Sequence, residues 1–202
     1  MPARLYLATI LVLAVALAGC ESDAGSTTDP GIQRDRSPGL QLTGGRSTLQ
    51  LGEELRGLLK KGGVKVVPGR ATNARGDRYA LPITAGRIDP QQVTGTIDHR
   101  GGVRFVSGGR QLTLGDMRID LGRKVATAAL GGGPIPVLRL NLQDVQRSRK
   151  GSTMVLSGIR ASLTKRAAKR IENRFNIDPP LGIDPVEKGV PVGTMRIRGT
   201  TR

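Results

Sequence analysis

The chain has 202 residues, with 32 lysines and arginines against 16 acids, which gives a formal net charge of +16. Its single cysteine excludes a disulfide within the chain. Its aromatic content of 2% makes nucleic acid the least favoured anionic partner, because proteins that bind single strands stack the bases on aromatic side chains. The charge leaves two interpretations open: an anionic partner, such as anionic lipid or an acidic wall polymer, or only a solvated surface rich in arginine.

The first segment of the chain is apolar but short. After Arg4, residues 5–17 carry no charge, and a polar sequence begins at Cys20. Crossing a bilayer as a helix takes roughly 20 apolar residues, so this segment is typical of an export signal rather than of a membrane span.

Residues Leu17-Ala18-Gly19-Cys20 resemble the lipobox of bacterial lipoproteins. The resemblance implies that residues 1–19 are a lipoprotein signal peptide, that the Cys20 thiol carries diacylglycerol, and that the mature chain begins at Cys20. Because two acyl chains anchor a protein stably, we expect a lipid-anchored protein on the extracytoplasmic face of the cell membrane. The alternative is an ordinary signal peptide followed by an unrelated cysteine.

Residues 20–46 are rich in Gly, Ser, Thr, Asp and Pro, which predicts a flexible tether. The segment that follows predicts an amphipathic helix, because Ser47 or Thr48 can cap its start and two lysines precede Gly62 at its end. Leucines fall on one face of this helix at Leu51, Leu55, Leu58 and Leu59. We expect these four side chains to be part of a core.

From residue 64 onward the period of the apolar residues changes to two, which predicts short strands separated by turns. Leucines at 138, 140 and 142 alternate with polar residues, as in an antiparallel strand with one buried and one wet face. In residues 110–122 the alternation slips at Gly115-Asp116, which indicates a bulge or a turn.

A second amphipathic helix is predicted after Thr164, a plausible N-cap, and a closing strand is predicted over residues 190–199. The apolar stripe of this helix contains Ala167, Ala168, Ile171 and Phe175. Its wet side carries a candidate basic patch for the membrane surface, formed by Lys165, Arg166, Lys169 and Arg170. The fold class is therefore mainly β: one antiparallel β-sandwich or barrel-like domain over residues 47–202, with two amphipathic helices.

No enzyme constellation is found in the sequence, and we expect no catalytic residues and no metal site. His99 is the only histidine, Cys20 is assigned to the lipid, and no G-x-S-x-G motif is present. The carboxylates show no recognised metal-loop spacing, and the glycines at 131–133 lack the lysine and serine of a phosphate loop. A secreted hydrolase is accordingly the least favoured class.

Three segments of the chain share a frame with a known domain: LPITAGRIDPQQVTGTIDHRGGVRF at 81–105, LTLGDMRIDL at 112–121 and VLSGIRASLTKRAAKRI at 155–171. This frame resembles the HtaA-type haem-binding domain of actinobacterial envelope proteins, and a related group of uncharacterised secreted actinobacterial proteins. The resemblance implies a sandwich-like β-barrel with two helices. It also implies a haem-ligating tyrosine on the first helix, supported by a histidine in the hairpin where His99 stands.

The first helix of this chain contains no tyrosine, so the haem iron ligand does not carry over and we expect no cofactor. His99 and Tyr79 are the candidate ligand-binding residues, with a turn or surface histidine as the plain alternative for His99. The leading hypothesis is a lipid-anchored, non-catalytic envelope protein with a binding or structural role. A carrier of haem or of another hydrophobic ligand is the alternative.

Overall fold

Residues that alternate between apolar and polar form strands, because successive side chains of a strand point to opposite faces of the sheet. The computed structural model describes residues 39–177 and 189–202, all within one compact unit, Arg36–Arg202. In these two ranges the chain forms twelve strands and two helices. They are β1 (Leu40–Leu51), α1 (Glu53–Lys61), β2 (Lys65–Pro68), β3 (Asn73–Arg75), β4 (Arg78–Asp89), β5 (Thr94–His99), β6 (Val103–Ser107), β7 (Arg110–Asp120), β8 (Val125–Leu130), β9 (Pro134–Asn141), β10 (Gln146–Lys150), β11 (Thr153–Leu163), α2 (Lys165–Phe175) and β12 (Val190–Thr201).

Eight of these strands form a closed antiparallel barrel. Their order around the barrel is β7, β5, β4, β1, β12, β11, β9 and β8, and the pairing of β8 with β7 closes the ring. The other four strands extend the wall: β6 pairs with β7, β2 with β6, β3 with β4, and β10 with β11. The prediction of a mainly β, antiparallel domain with two helices is confirmed, and of the two predicted architectures, a sandwich or a barrel, the barrel is observed.

Aliphatic side chains form the core. An eight-stranded barrel is just wide enough for side chains to fill its interior. The largest fully buried side chains of the strands are isoleucine, leucine and methionine, among them Ile97, Ile119, Leu130, Leu156 and Ile197. They belong to one continuous hydrophobic cluster, which also includes the buried faces of both helices.

The start of the domain differs from the prediction. Residues 40–46, expected in the tether, form the first half of β1, and α1 begins at Glu53 rather than near Ser47. Glycine explains why this strand looked like a linker: Gly45 has a φ of +120°, and a Cβ there would lie 2.1 Å from the carbonyl oxygen of Arg198. The predicted signal peptide, Cys20 and the tether up to residue 38 lie outside the described residues.

Both helices follow strands that end at the same end of the barrel, since β1 and β11 each pair antiparallel with β12. In α1, Leu55 and Leu59 are buried as predicted, Leu58 is partly buried, and Leu51 is buried in β1 instead. In α2, the predicted N-cap and the predicted apolar stripe are both confirmed. Neither helix in the described part of the chain is long and apolar enough to cross a membrane.

Candidate functional site

His99 lies at the end of β5 and is 3% exposed, so the turn or surface interpretation of this residue is wrong. Its Nδ1 is 3.1 Å from the carbonyl oxygen of Met117 and its Nε2 is 2.7 Å from the hydroxyl of Ser47. A carbonyl can only accept, which assigns the proton to Nδ1 and leaves Nε2 to accept from Ser47. Burial lowers the pKa of His99, and the bond to Met117 and the charge of Asp98 oppose that effect.

Tyr79 lies in β4 and is 5% exposed. Its hydroxyl donates to the carbonyl oxygen of Val66 in β2, at 2.9 Å. Burial raises the pKa of Tyr79, and the nearby Asp77 raises it further. The polar atoms of both candidate ligand-binding residues are therefore bonded to the protein itself, so that neither residue offers an open coordination position in this conformation.

A small cavity lies between α1 and the barrel. Its volume is about 60 Å³, and its walls are apolar side chains together with Gly102. Leu55 of α1 covers it, Tyr79 and Met117 form part of its wall, and β6 contributes Phe105. The bonds of His99 to Met117 and of Tyr79 to Val66 thus support the wall of this cavity.

A groove of about 430 Å³ adjoins the cavity and shares Leu51, Val66 and Tyr79 with it. The rim of the groove is charged and contains Arg56, Lys60, Lys65 and Asp77. The shared residues form an apolar floor beneath a mostly cationic rim. From the sequence, Leu51, Leu59 and Tyr79 of this lining were identified, but the cationic rim was missed, because the rim joins α1, β2 and the turn before β4.

Arg56 has an unsatisfied donor at this rim. Its Nη1 donates to Asp77 Oδ2 at 2.7 Å, but its buried Nε has no hydrogen-bond partner among the described residues. A buried donor without an acceptor costs roughly 1–3 kcal/mol. An anionic ligand in the groove would supply such an acceptor.

The predicted basic patch of α2 is divided between two environments. Lys165, Arg166 and Lys169 are exposed, whereas Arg170 is half-buried and its Nη1 donates to the carbonyl oxygen of Leu130 at 2.6 Å. Lys165 and Arg166 line a cleft of about 630 Å³ that also contains Arg139. Arg170 holds the helix to the barrel, while the first two residues of α2 belong to a concave basic surface.

The residues present do not fit a haem. The apolar cavity is about 60 Å³, against roughly 300–1,000 Å³ for drug-sized ligands. The adjoining groove of about 430 Å³ is lined by no His, Cys or Met, and the hydroxyl of its Tyr79 is already bonded to Val66. Nε2 of His99 has one lone pair, which accepts from Ser47, and α1 has no tyrosine. Within the described ranges, no group of three or more His, Cys, Asp or Glu residues is placed to hold a metal ion.

No protein-family model matches the chain, and no curated protein matches it significantly. Among solved structures, the C-terminal domain of HtaA from Corynebacterium glutamicum is similar, with a TM-score of 0.58 and 14% sequence identity. The alignment covers 81% of this chain and 99% of that domain. At this identity the likeness shows a common fold, and the HtaA-like architecture expected from the sequence motifs is supported.

Proposed function

We propose that the chain is a lipid-anchored, non-catalytic binding protein of the bacterial cell envelope. Its ligand is an apolar molecule with one anionic end, held beneath α1. The observation that carries this proposal is an apolar cavity that adjoins a groove with a mostly cationic rim and shares three lining residues with it.

The two parts of this site suit the two parts of such a ligand. An apolar chain gains roughly 25 cal/mol for each Å² that it removes from water, and the floor of the groove offers Leu51 and Val66 for that contact. A carboxylate at the rim would lie among Arg56, Lys60 and Lys65, and charge-assisted hydrogen bonds are stronger than neutral ones. The groove and the cavity together have the size of a ligand site, which the cavity alone lacks.

Haem is the second candidate, because the chain has the fold of the HtaA domain and because its sequence motifs resemble haem-binding domains. The bonded His99 and the missing tyrosine of α1 argue against it. A carrier that kept the fold and lost the iron ligands would retain a hydrophobic ligand of another kind.

The test of the ligand uses the domain over residues 39–202 and a fluorescent fatty acid such as cis-parinaric acid. We expect saturable binding that weakens when Lys60→Glu and Lys65→Glu reverse the rim charge. Lys61→Glu is the matched control, since Lys61 is adjacent in α1 but does not line the groove. Absence of binding, or equal losses with the Lys60 and Lys61 variants, would count against the proposal.

The anchor is tested separately. The lipobox-like residues Leu17–Cys20 support a diacylglyceryl group on Cys20 and a place on the extracytoplasmic face of the membrane. In cells fed labelled palmitate, we expect label in the wild-type protein and none in Cys20→Ser, which should remain unprocessed or be released. Incorporation of label into Cys20→Ser would rule out this cysteine as the lipid site.

A further inference from the structure

A cleft beside the start of α2 is lined mainly by basic residues. It lies between the start of α2, the strands β8 and β9, and the turn that joins β7 to β8. Its volume is about 630 Å³, and none of its nine lining residues is acidic. Five of them are basic: Arg123, Lys124, Arg139, Lys165 and Arg166.

Arg139 and Lys165 interact with other groups of the chain, so among the described residues the charges of Arg123, Lys124 and Arg166 are the ones that an anion in the cleft would neutralise. Like charges that converge on one concave surface repel each other. α2 also begins with Lys165 and Arg166 and has no acid in its first turn, although the positive end of a helix dipole favours anions. In the described part of the chain, Arg123, Lys124 and Arg166 form no ion pair.

The backbone at Lys124 is also strained. Its φ is +55°, in the left-handed region that glycine and asparagine adopt more readily than lysine. The carbonyl of Lys124 accepts from the backbone N–H of Leu140 at 2.9 Å, which fixes the turn against β9. A lysine is thus held at the cleft in a conformation that another residue would adopt with less strain.

We propose that this cleft binds a phosphate group. A phosphate carries more than one acceptor oxygen, and guanidinium groups recognise it with paired hydrogen bonds, while lysine ammonium groups add point charges. Three arginines and two lysines around one concave volume match this chemistry better than they match a single carboxylate. The cleft shares no lining residue with the groove beneath α1, so the site stands independently of the ligand proposed there.

The phosphate can come from two sources, a phospholipid headgroup or a soluble phosphate. Strand direction favours the headgroup: Leu40 at the start of β1 pairs with Ile88 near the end of β4, and Thr96 near the start of β5 pairs with Asp120 at the end of β7. The chain therefore enters the barrel at the same end as the β7–β8 turn that carries Lys124. The lipid anchor proposed above lies ahead of β1 in the sequence and would be tethered to that end, so the preference for a headgroup rests on that proposal.

The experiment uses the intact protein in detergent, with two probes. One arm titrates inorganic pyrophosphate by calorimetry, and the other counts retained phosphatidylglycerol against phosphatidylcholine by native mass spectrometry. The variants are Lys124→Gly, which removes a charge and relieves the positive φ, and Arg166→Gln. Lys169→Gln is the matched control, since Lys169 is on the same helix but does not line the cleft.

We expect at least one probe to bind, with roughly tenfold weaker affinity in each cleft variant, as for the loss of a hydrogen bond to a charged group. The Lys169→Gln protein should bind as the wild type does. Preference for phosphatidylglycerol would identify a headgroup as the source, and binding of pyrophosphate alone would identify a soluble phosphate. If neither probe binds, or if Lys169→Gln weakens binding as much as the cleft variants do, the charge is diffuse and the proposed site does not exist. Melting temperatures no lower than that of the wild type show that the variants are folded, and relief of the positive φ should raise that of Lys124→Gly.

Discussion

The two helices follow strands that end at the same end of the barrel but are held there by different means. α1 has Gly52 as its N-cap, without a side-chain hydrogen bond, and buries only Leu55 and Leu59. α2 is capped by the side chain of Thr164 and buries a stripe of four residues. Two arginines of α2 also donate to backbone carbonyls of the barrel, Arg170 to Leu130 and Arg174 to Gln111.

This difference gives the two helices different roles: α1 covers a cavity, and α2 is fixed to the barrel. α1 lies over a cavity with few anchoring bonds, so it is the element that can yield to a ligand larger than the cavity. α2 is fixed at its cap, its apolar face and its arginines, so it holds its first residues at a constant position beside the basic cleft.

Truncating a buried side chain should lower the free energy of unfolding more in α2 than in α1. Ile171→Ala removes a side chain that is 1% exposed and should lower the free energy of unfolding by roughly 2–5 kcal/mol. Leu55→Ala should be at the lower limit of the same range, because Leu55 borders a cavity and α1 can adjust. Urea denaturation of both variants, with the exposed Glu54→Ala as control, measures the contrast. Equal losses for the two helices would contradict it.

Removing the hydroxyl of Ser47 should weaken the wall of the α1 cavity. Ser47→Ala leaves Nε2 of the buried His99 without its donor, which costs roughly 1–3 kcal/mol. The control is Thr43→Ala in the same strand, because the hydroxyl of Thr43 donates to the carbonyl oxygen of Thr200 at an exposed position. Thermal unfolding compares the two variants, and a smaller loss for Ser47→Ala than for Thr43→Ala would show that His99 is satisfied in another way.

The stability should also depend on the titration of His99. Its pKa in the folded chain lies below the ordinary value of 6.5, so the unfolded chain binds a proton at a higher pH than the folded chain does. Stability from this group is complete above pH 6.5 and decreases as the pH falls toward the lowered pKa. Urea midpoints at about pH 7.5 and about pH 5.5, on either side of that value, should differ more in the wild type than in His99→Gln. If the urea midpoints of the wild type and of His99→Gln changed equally with pH, the titration of His99 would not be the cause of the pH dependence.

The cap of α2 should contribute about 1 kcal/mol. The hydroxyl of Thr164 accepts from the N–H of Ala167 at 3.2 Å and donates to the carbonyl oxygen of Pro136 at 2.7 Å. Thr164→Ala removes both bonds, whereas Thr164→Ser keeps them. Hydrogen exchange should become faster in the first turn of α2 in the alanine variant only. Unchanged protection in Thr164→Ala would mean that packing alone fixes this end.

The smallest effect is expected at the rim of the α1 groove. Arg56 and Asp77 form an ion pair whose side chains are 40% and 41% exposed, and exposed pairs contribute roughly 0–1 kcal/mol. Arg56→Ala loses this pair but also removes the buried Nε that lacks an acceptor, so it should not lower the melting temperature much, yet it should weaken binding of a fatty acid. A large loss of stability would place Arg56 in the fold rather than at a ligand site.

Local patterns predicted the parts of the structure that depend on neighbouring residues. The slip at Gly115-Asp116 appears as a register shift between Leu114 and Met117 where β7 pairs with β8. Thr164 and the stripe of α2 were predicted because helix capping and helix periodicity act over a few residues. These features need no information about distant strands.

Features that depend on distant contacts were missed. The first half of β1 contains Gly44 and Gly45, and only the close approach of β12 explains a glycine with positive φ inside a strand. The burial of His99 depends on Ser47, which is 52 residues away in the sequence, and the cleft joins residues from a turn, two strands and a helix. Strand order and barrel closure bring such residues together, and local sequence patterns predict neither the order nor the closure.

The ligand recovered with the protein tests the proposed function most directly. The intact protein would be purified from bacterial envelopes, and its bound material would be examined by absorption spectroscopy and by mass spectrometry after extraction. We predict an amphiphilic anion with an apolar chain, released in lower amount from Lys65→Glu, and no haem absorption band. A haem spectrum from the wild-type protein, or a preparation that carries no small molecule and binds no fatty acid, would contradict a carrier of this kind.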